Sequence, residues 1–139
     1  DSSGDMTDCC EYLRLTEDLR DRFQVMMGRD TMIYAGLCCG CAGAVASCAN
    51  VAPAVVAAIY DRHRAGDLAG AWEAQKTLAP LRLACSMGTF PEVIKEGLEL
   101  QGIPAGKCLE PIARLSAAER EKLRPVLEEM GLLKKEDAQ

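Results

Sequence analysis

Positive charge is in short supply. Sixteen lysines and arginines face 21 acids, a formal net charge of -5, which leaves no basic surface of the kind that duplex or single-stranded nucleic acid requires. Histidine is rarer still, with His63 alone in "DRHR". Cys38 and Cys41 form one CxxC with no second pair after it, so the usual two-pair zinc pattern is missing, and no metal is expected. No charge of either sign occurs from Thr31 to Tyr60. That is long enough to cross a bilayer, but Gly36, Gly40, Gly43 and Pro53 break it into short pieces. It reads as buried α/β core, where central strands are almost continuously apolar, and no membrane partner is expected. The first apolar run is short and preceded by acids, unlike an export signal, so a cytoplasmic setting is expected. No internal repeat recurs at a fixed period.

What is present fits a globular domain: 49% apolar and 27% charged residues over one domain length. The closing "KLRPVLEEMGLLKKEDAQ" mixes both signs and is neither a basic arm nor an acidic tail. Eight cysteines, several of them (Cys38, Cys39, Cys41 and Cys48) among Ala, Gly and Val, read as reduced thiols packed like small hydrophobes.

Along the chain, Thr7 is a plausible N-cap, and Cys9, Tyr12, Leu13, Thr16 and Leu19 follow at helical spacing. "FQVMMG" predicts a short strand closed by Gly28. Helical spacing returns through Met32, Ile33 and Leu37 to Gly40; "GAVAS" predicts a second buried strand; and Pro53 sits in the first turn of a third helix. Alternating helix and strand predicts parallel strands with helical crossovers. Two such strands are too few for a covered sheet and need further strands beside them.

After Gly66 the pattern is helical only. Leu68, Trp72, Gln75 and Leu78 share a stripe, and Phe90, Val93, Ile94, Leu98 and Leu100 point inward in the next helix. "IPAGKCLEPIARL" is an extended connector. Ser116 and Glu119 form a capping box, and Pro125 should bend or split the helix that follows. Glu92, Lys95 and Glu96 read as a charged outer face, Trp72 as packing, and His63 as a solvated helix end.

"DSSGD" before a helix, "MGRD" after a strand, "GAVASCANVAP" around the next strand and "GTFPEVIKEGLELQGIPAGKCLEPIARLS" at the end come in an order that resembles one family. This is the Schiff-base-forming lyases typified by dihydrodipicolinate synthase and N-acetylneuraminate lyase. The resemblance implies an α/β fold, the C-terminal part of a (βα)8 barrel. Residues 1–65 would be its last βα units, helix six to helix eight, and residues 66–139 an all-helical segment. It places the Schiff-base lysine immediately before Asp1. Asp1 would then not be a natural N-terminus, whether the chain is a fragment or is broken at a lysine modified by bound keto acid.

It also implies a lyase acting on pyruvate or another 2-oxo acid, with no cofactor, in a homo-oligomer (tetramer or dimer). No catalytic residue falls in the chain itself: Lys76, Lys95 and Lys107 follow no predicted strand. Of the pocket's far wall, Gly28 would let backbone approach the ligand, and Val45 would pack on the keto acid while belonging to the barrel core. Asp30 and Ser47 would reach the substrate's polar tail, and Ser2 would lie on the rim. Asp30 reads first as a helix N-cap, while Ser47 reads also as a partner of nearby backbone and Gly28 as a plain strand-ending turn. The rival readings are an inactive half-barrel or assembly module without a nucleophile, and a cysteine-rich metal-binding module.

Overall fold

A computed structural model describes residues 1–134; residues 135–139, the end of the expected helical segment and of its mixed-charge tail, lie outside the described residues. Helix α1 spans Met6–Leu15, and its N-cap is Asp5, whose carboxylate accepts from the Thr7 N–H at 2.7 Å. The expected cap Thr7 is thus already inside the helix. Strand β1 is Met26–Met27, and α2, Ile33–Cys39, follows a 3₁₀ turn over Asp30–Met32. Gly40 ends α2 at φ 108°, a left-handed cap that only glycine adopts without strain.

Strand β2, Gly43–Ala44, pairs parallel with β1 in the register Met26 to Gly43 and Met27 to Ala44. Bonds from Ala42 N–H to Val25 O and from Val45 N–H to Met27 O extend the pairing one step each way. Both strands are shorter than expected, and the Phe23 end stands half exposed. A 3₁₀ turn over Ser47–Asn50 leads to α3, Pro53–Arg64, and then come α4, Leu68–Ala84, α5, Glu92–Leu100, and α6, Ala117–Glu129.

Helix–helix packing makes the main core. Ile59 of α3, Leu78 and Leu81 of α4, Val93 of α5, and Leu123 and Leu127 of α6 are all fully buried there. A smaller cluster of Cys9, Val25, Met27 and Cys41 joins α1 to the sheet. Leu78→Ala removes three buried carbons from a site with no exposure. A loss of about 3 kcal/mol is expected from such a cavity, read as a lower urea midpoint at unchanged slope.

Helix α6 continues through Pro125 without being split. Pro125 lies on the exposed side, while Leu123 and Leu127 are buried on the other. The Glu121 carbonyl released by the proline therefore faces water, and the packed face holds the helix together. The capping box forms as expected, with Ser116 Oγ and the Glu119 carboxylate reciprocally bonded.

The charged face expected on α5 is instead an inner one. Glu92 is 1% and Glu96 7% exposed. Glu92 accepts from the Cys108 N–H at 3.1 Å, and Glu96 pairs with Arg120 at 2.6 Å. Glu99 accepts from the Ala105 and Gly106 N–H groups, both at 2.8 Å, while Lys95 Nζ donates to the carbonyls of Ala105 and Lys107. Glu92, Lys95 and Glu99 thus fasten the connector, residues 103–115, to α5, while Glu96 joins α5 to α6.

The Gly106 and Ala105 amides hold the Glu99 carboxyl below its ordinary value of 4.5. A carboxyl lowered on folding contributes stability that is whole above 4.5 and is lost as pH falls through its folded value. Glu99→Gln is therefore expected to lose less stability than wild type on going from pH 5 to lower pH, measured by urea unfolding across that range.

Three further expectations change. Cys41 and Cys48 are buried, but Cys38 and Cys39 are exposed, because Ile33, Gly36 and Leu37 take the inward face of α2 and turn the next two positions outward. His63 is half-buried against Tyr34, ring centroids 6.3 Å apart, and its Nδ1 has no hydrogen-bond partner among the described residues. Trp72, Leu68 and Phe90 are about half exposed rather than packed inward.

Candidate functional site

Parallel strands end on the same side of their sheet, so the loops leaving β1 and β2 gather at one place. There Ser2, Gly28, Asp30, Val45 and Ser47, the five residues singled out in the sequence, line a single hollow of about 410 Å³. Arg29, Ala46, Asn50, Arg82 of α4 and Phe90 complete its wall.

Asp30 is the hub. It is 3% exposed, and its carboxylate accepts from the Cys48 N–H at 2.7 Å and from Ser47 Oγ at 3.2 and 3.3 Å. Its own helix has no side-chain cap. The expected N-cap role is therefore corrected: the carboxylate serves the 3₁₀ turn after the neighbouring strand and ties the two loops together. Gln75 braces the same turn from α4, donating to the Asp30 carbonyl and accepting from the Tyr34 N–H, both at 2.9 Å.

Arg82 Nε lies 3.6 Å from the Asp30 carboxylate, an ion pair too long for a hydrogen bond. That nitrogen has no hydrogen-bond partner among the described residues. Neither Arg82 nor Phe90 was expected at the site. A signal was available for the arginine, which is the one charge between Lys76 and Glu92.

Gly28 sits where backbones crowd. A Cβ there would lie 2.7 Å from the Asp1 carbonyl oxygen and 2.9 Å from Ser2 Cα. The Gly28 N–H donates to that same oxygen at 2.5 Å, and the Asp1 amino group donates to the Met26 carbonyl at 2.6 Å. Asp1 thus occupies the edge of β1 away from β2. Val45, expected in packed core, is 71% exposed at the mouth of the hollow, with no described residue covering it.

Behind the hollow lie the buried thiols of Cys48 and Cys85. The neighbouring Cys85 and burial raise the Cys48 thiol, while Cys48, with Arg82 beside it, holds Cys85 below the ordinary thiol range. The hollow offers a buried carboxylate, two hydroxyls, two guanidiniums, an amide and backbone, but no lysine among the described residues lines it. Among the described residues no group of three His, Cys, Asp or Glu side chains could hold a metal ion, and no helix is long and apolar enough to cross a membrane.

The family model for the dihydrodipicolinate synthetase family matches residues 1–130. The 4-hydroxy-tetrahydrodipicolinate synthase of Methanoculleus marisnigri is 39% identical over 132 residues, 94% of this chain and 44% of the relative. The synthase of Archaeoglobus fulgidus is 31% identical over 133 residues, 96% and 45% respectively. Among solved structures, the dihydrodipicolinate synthase of Thermotoga maritima superposes with a TM-score of 0.88 at 30% identity, over 96% of this chain and 45% of that one. A monomeric dihydrodipicolinate synthase variant superposes at 0.89 and 30% identity, over 96% and 44%. The chain thus spans less than half the length of the relatives it matches, and these neighbours are barrel proteins whose helix-rich α/β architecture it shares. A match over almost every residue, in sequence and in fold together, has one reading: the chain belongs to the dihydrodipicolinate synthetase family.

Proposed function

We propose that this chain is the C-terminal part of a (βα)8-barrel lyase that forms a Schiff base between a lysine and pyruvate or another 2-oxo acid, the lysine standing immediately before Asp1. The observation that carries this reading is the position of Asp1. Its amino group and carbonyl both bond to the open edge of β1, which supports a neighbouring strand there, ending in the lysine and opening on the same hollow. Residues 1–65 are then the last βα units and residues 66–139 the helical segment.

The lysine amine attacks the ketone carbon, and loss of water leaves an iminium that withdraws electrons from C3. C3 then loses a proton, or its bond to the next carbon breaks. Gly28 gives the ligand access to backbone and Val45 packs on its methyl group. Asp30, Ser47 and Ser2 face the polar end of the substrate, and Arg82 gives that end of the hollow a positive charge. No metal or organic cofactor takes part. The enzyme is cytoplasmic and assembles with copies of itself, in keeping with Leu83 and Leu109 standing 67% and 88% exposed on the helical segment.

Borohydride reduction of the full-length protein in the presence of pyruvate tests the reading. A stable adduct on the lysine immediately before Asp1 is the expected result. An adduct on a different lysine, or none from protein that turns over a 2-oxo acid, overturns it.

A further inference from the structure

Five of the eight cysteines meet at one junction. Cys9 and Cys10 lie on α1, Cys38 and Cys39 in the last turn of α2, and Cys41 just beyond it. The Sγ atoms of Cys9 and Cys41 are 3.5 Å apart, with both residues buried. Cys10 and Cys39 are exposed, and burial together with the neighbouring Cys10 raises the Cys39 thiol. Core packing accounts for Cys9 and Cys41 as small hydrophobes. It does not account for a close buried thiol pair with exposed cysteines beside each partner, all between α1 and the end of α2. These sulfurs form no group able to hold a metal among the described residues, which leaves sulfur–sulfur chemistry.

We propose that the junction of α1 with the end of α2 is a thiol–disulfide exchange site, at which Cys9 and Cys41 close to a disulfide in the presence of a low-molecular-weight disulfide. Direct attack by the buried pair is slow, since burial pushes the Cys41 thiol up to about 12 and the thiolate is the nucleophile. The surface pair provides access. The exposed Cys10, as thiolate, attacks the small disulfide, whose S–S bond breaks and releases one thiol. Cys39 then attacks the Cys10 sulfur and releases the second thiol. Two protein thiols lose two electrons and two protons, and one small disulfide becomes two thiols. Exchange passes the new bond to Cys9 and Cys41 with no further change in oxidation. The closed loop contains β1, Gly28 and Asp30, so oxidation braces the wall of the candidate site.

The test is to equilibrate the full-length protein with graded ratios of oxidised to reduced glutathione, block it with N-ethylmaleimide, then unfold and map the thiols. Expected are a cross-link between the α1 and α2-end segments, loss of label at Cys9 and Cys41, reversal by dithiothreitol, and a raised unfolding temperature in the oxidised form. In a Cys10→Ser/Cys39→Ser variant the same cross-link should form about tenfold more slowly, at an unchanged midpoint ratio. Full labelling of Cys9 and Cys41 in wild type at every ratio overturns the proposal, as does protection by stoichiometric zinc without a cross-link. An unaltered rate in the double variant overturns the access role of the surface pair. The wild-type mapping stands by itself if a variant fails to fold.

Discussion

Gly28→Ala in the full-length protein is expected, on the proposed lyase reading, to lower kcat about a hundredfold, the cost of displacing a reacting group by about 1 Å. The glycine is required for space. Its nearest neighbours are the Asp1 carbonyl and Ser2 Cα, main-chain atoms that cannot rotate away as a side-chain end can. A methyl group there pushes the 1–2 segment off the edge of β1 and stretches the Gly28 to Asp1 hydrogen bond. In the lyase reading that segment carries the lysine, so the iminium should form more slowly, while KM for the keto acid changes less. Steady-state kinetics and the rate of borohydride trapping give the two readouts. Gly66→Ala is the control: at φ 81° alanine is strained by roughly 1 kcal/mol, yet nothing lies within 4 Å of the added carbon. It should lose stability without losing kcat. Wild-type kcat in Gly28→Ala would falsify the placement of the reacting lysine beside Asp1.

Asp30→Ala is expected to destabilise the protein by about 3 kcal/mol, as breaking a buried charged network does. Its removal strands the Cys48 N–H, which donates to it at 2.7 Å, and leaves the partly buried Arg82 without its carboxylate. Asn at this position keeps one acceptor for the Cys48 N–H and gives up the charge, so about half that loss is expected. Urea midpoints at constant slope measure both. Should alanine cost less than about 1 kcal/mol, the two loops are held by something other than this carboxylate.

Features whose causes lie within a few residues were legible in the sequence. The Ser116–Glu119 box, the Pro53 start of α3, the Gly40 stop of α2 and the order of strands and helices through residue 65 are local matters of capping, turn chemistry and periodicity. Asp30 was noticed, and all five chosen residues meet in one hollow, because the loops after parallel strands converge. What stayed hidden depends on distant partners. Glu92 looks like a solvent-facing acid until the Cys108 amide, 16 residues on, is brought to it. Arg82 joins the hollow only because α4 packs across the turn at Asp30. Periodicity locates an apolar stripe but cannot say how far a helix end protrudes, which is why Trp72 and Cys38 were expected inside. Pro125 shows the reverse, a local rule tempered by packing on the opposite face.

The fastening of the connector has a consequence for how this region tolerates change. Glu92 and Glu99 grip the main-chain amides of Cys108, Ala105 and Gly106, and Lys95 grips two carbonyls. Such a clasp is blind to side-chain identity and sensitive to spacing. Substitutions at an exposed position such as Lys107 should pass almost unnoticed, whereas inserting or deleting one residue between Ala105 and Cys108 shifts the amides out of their carboxylates' reach.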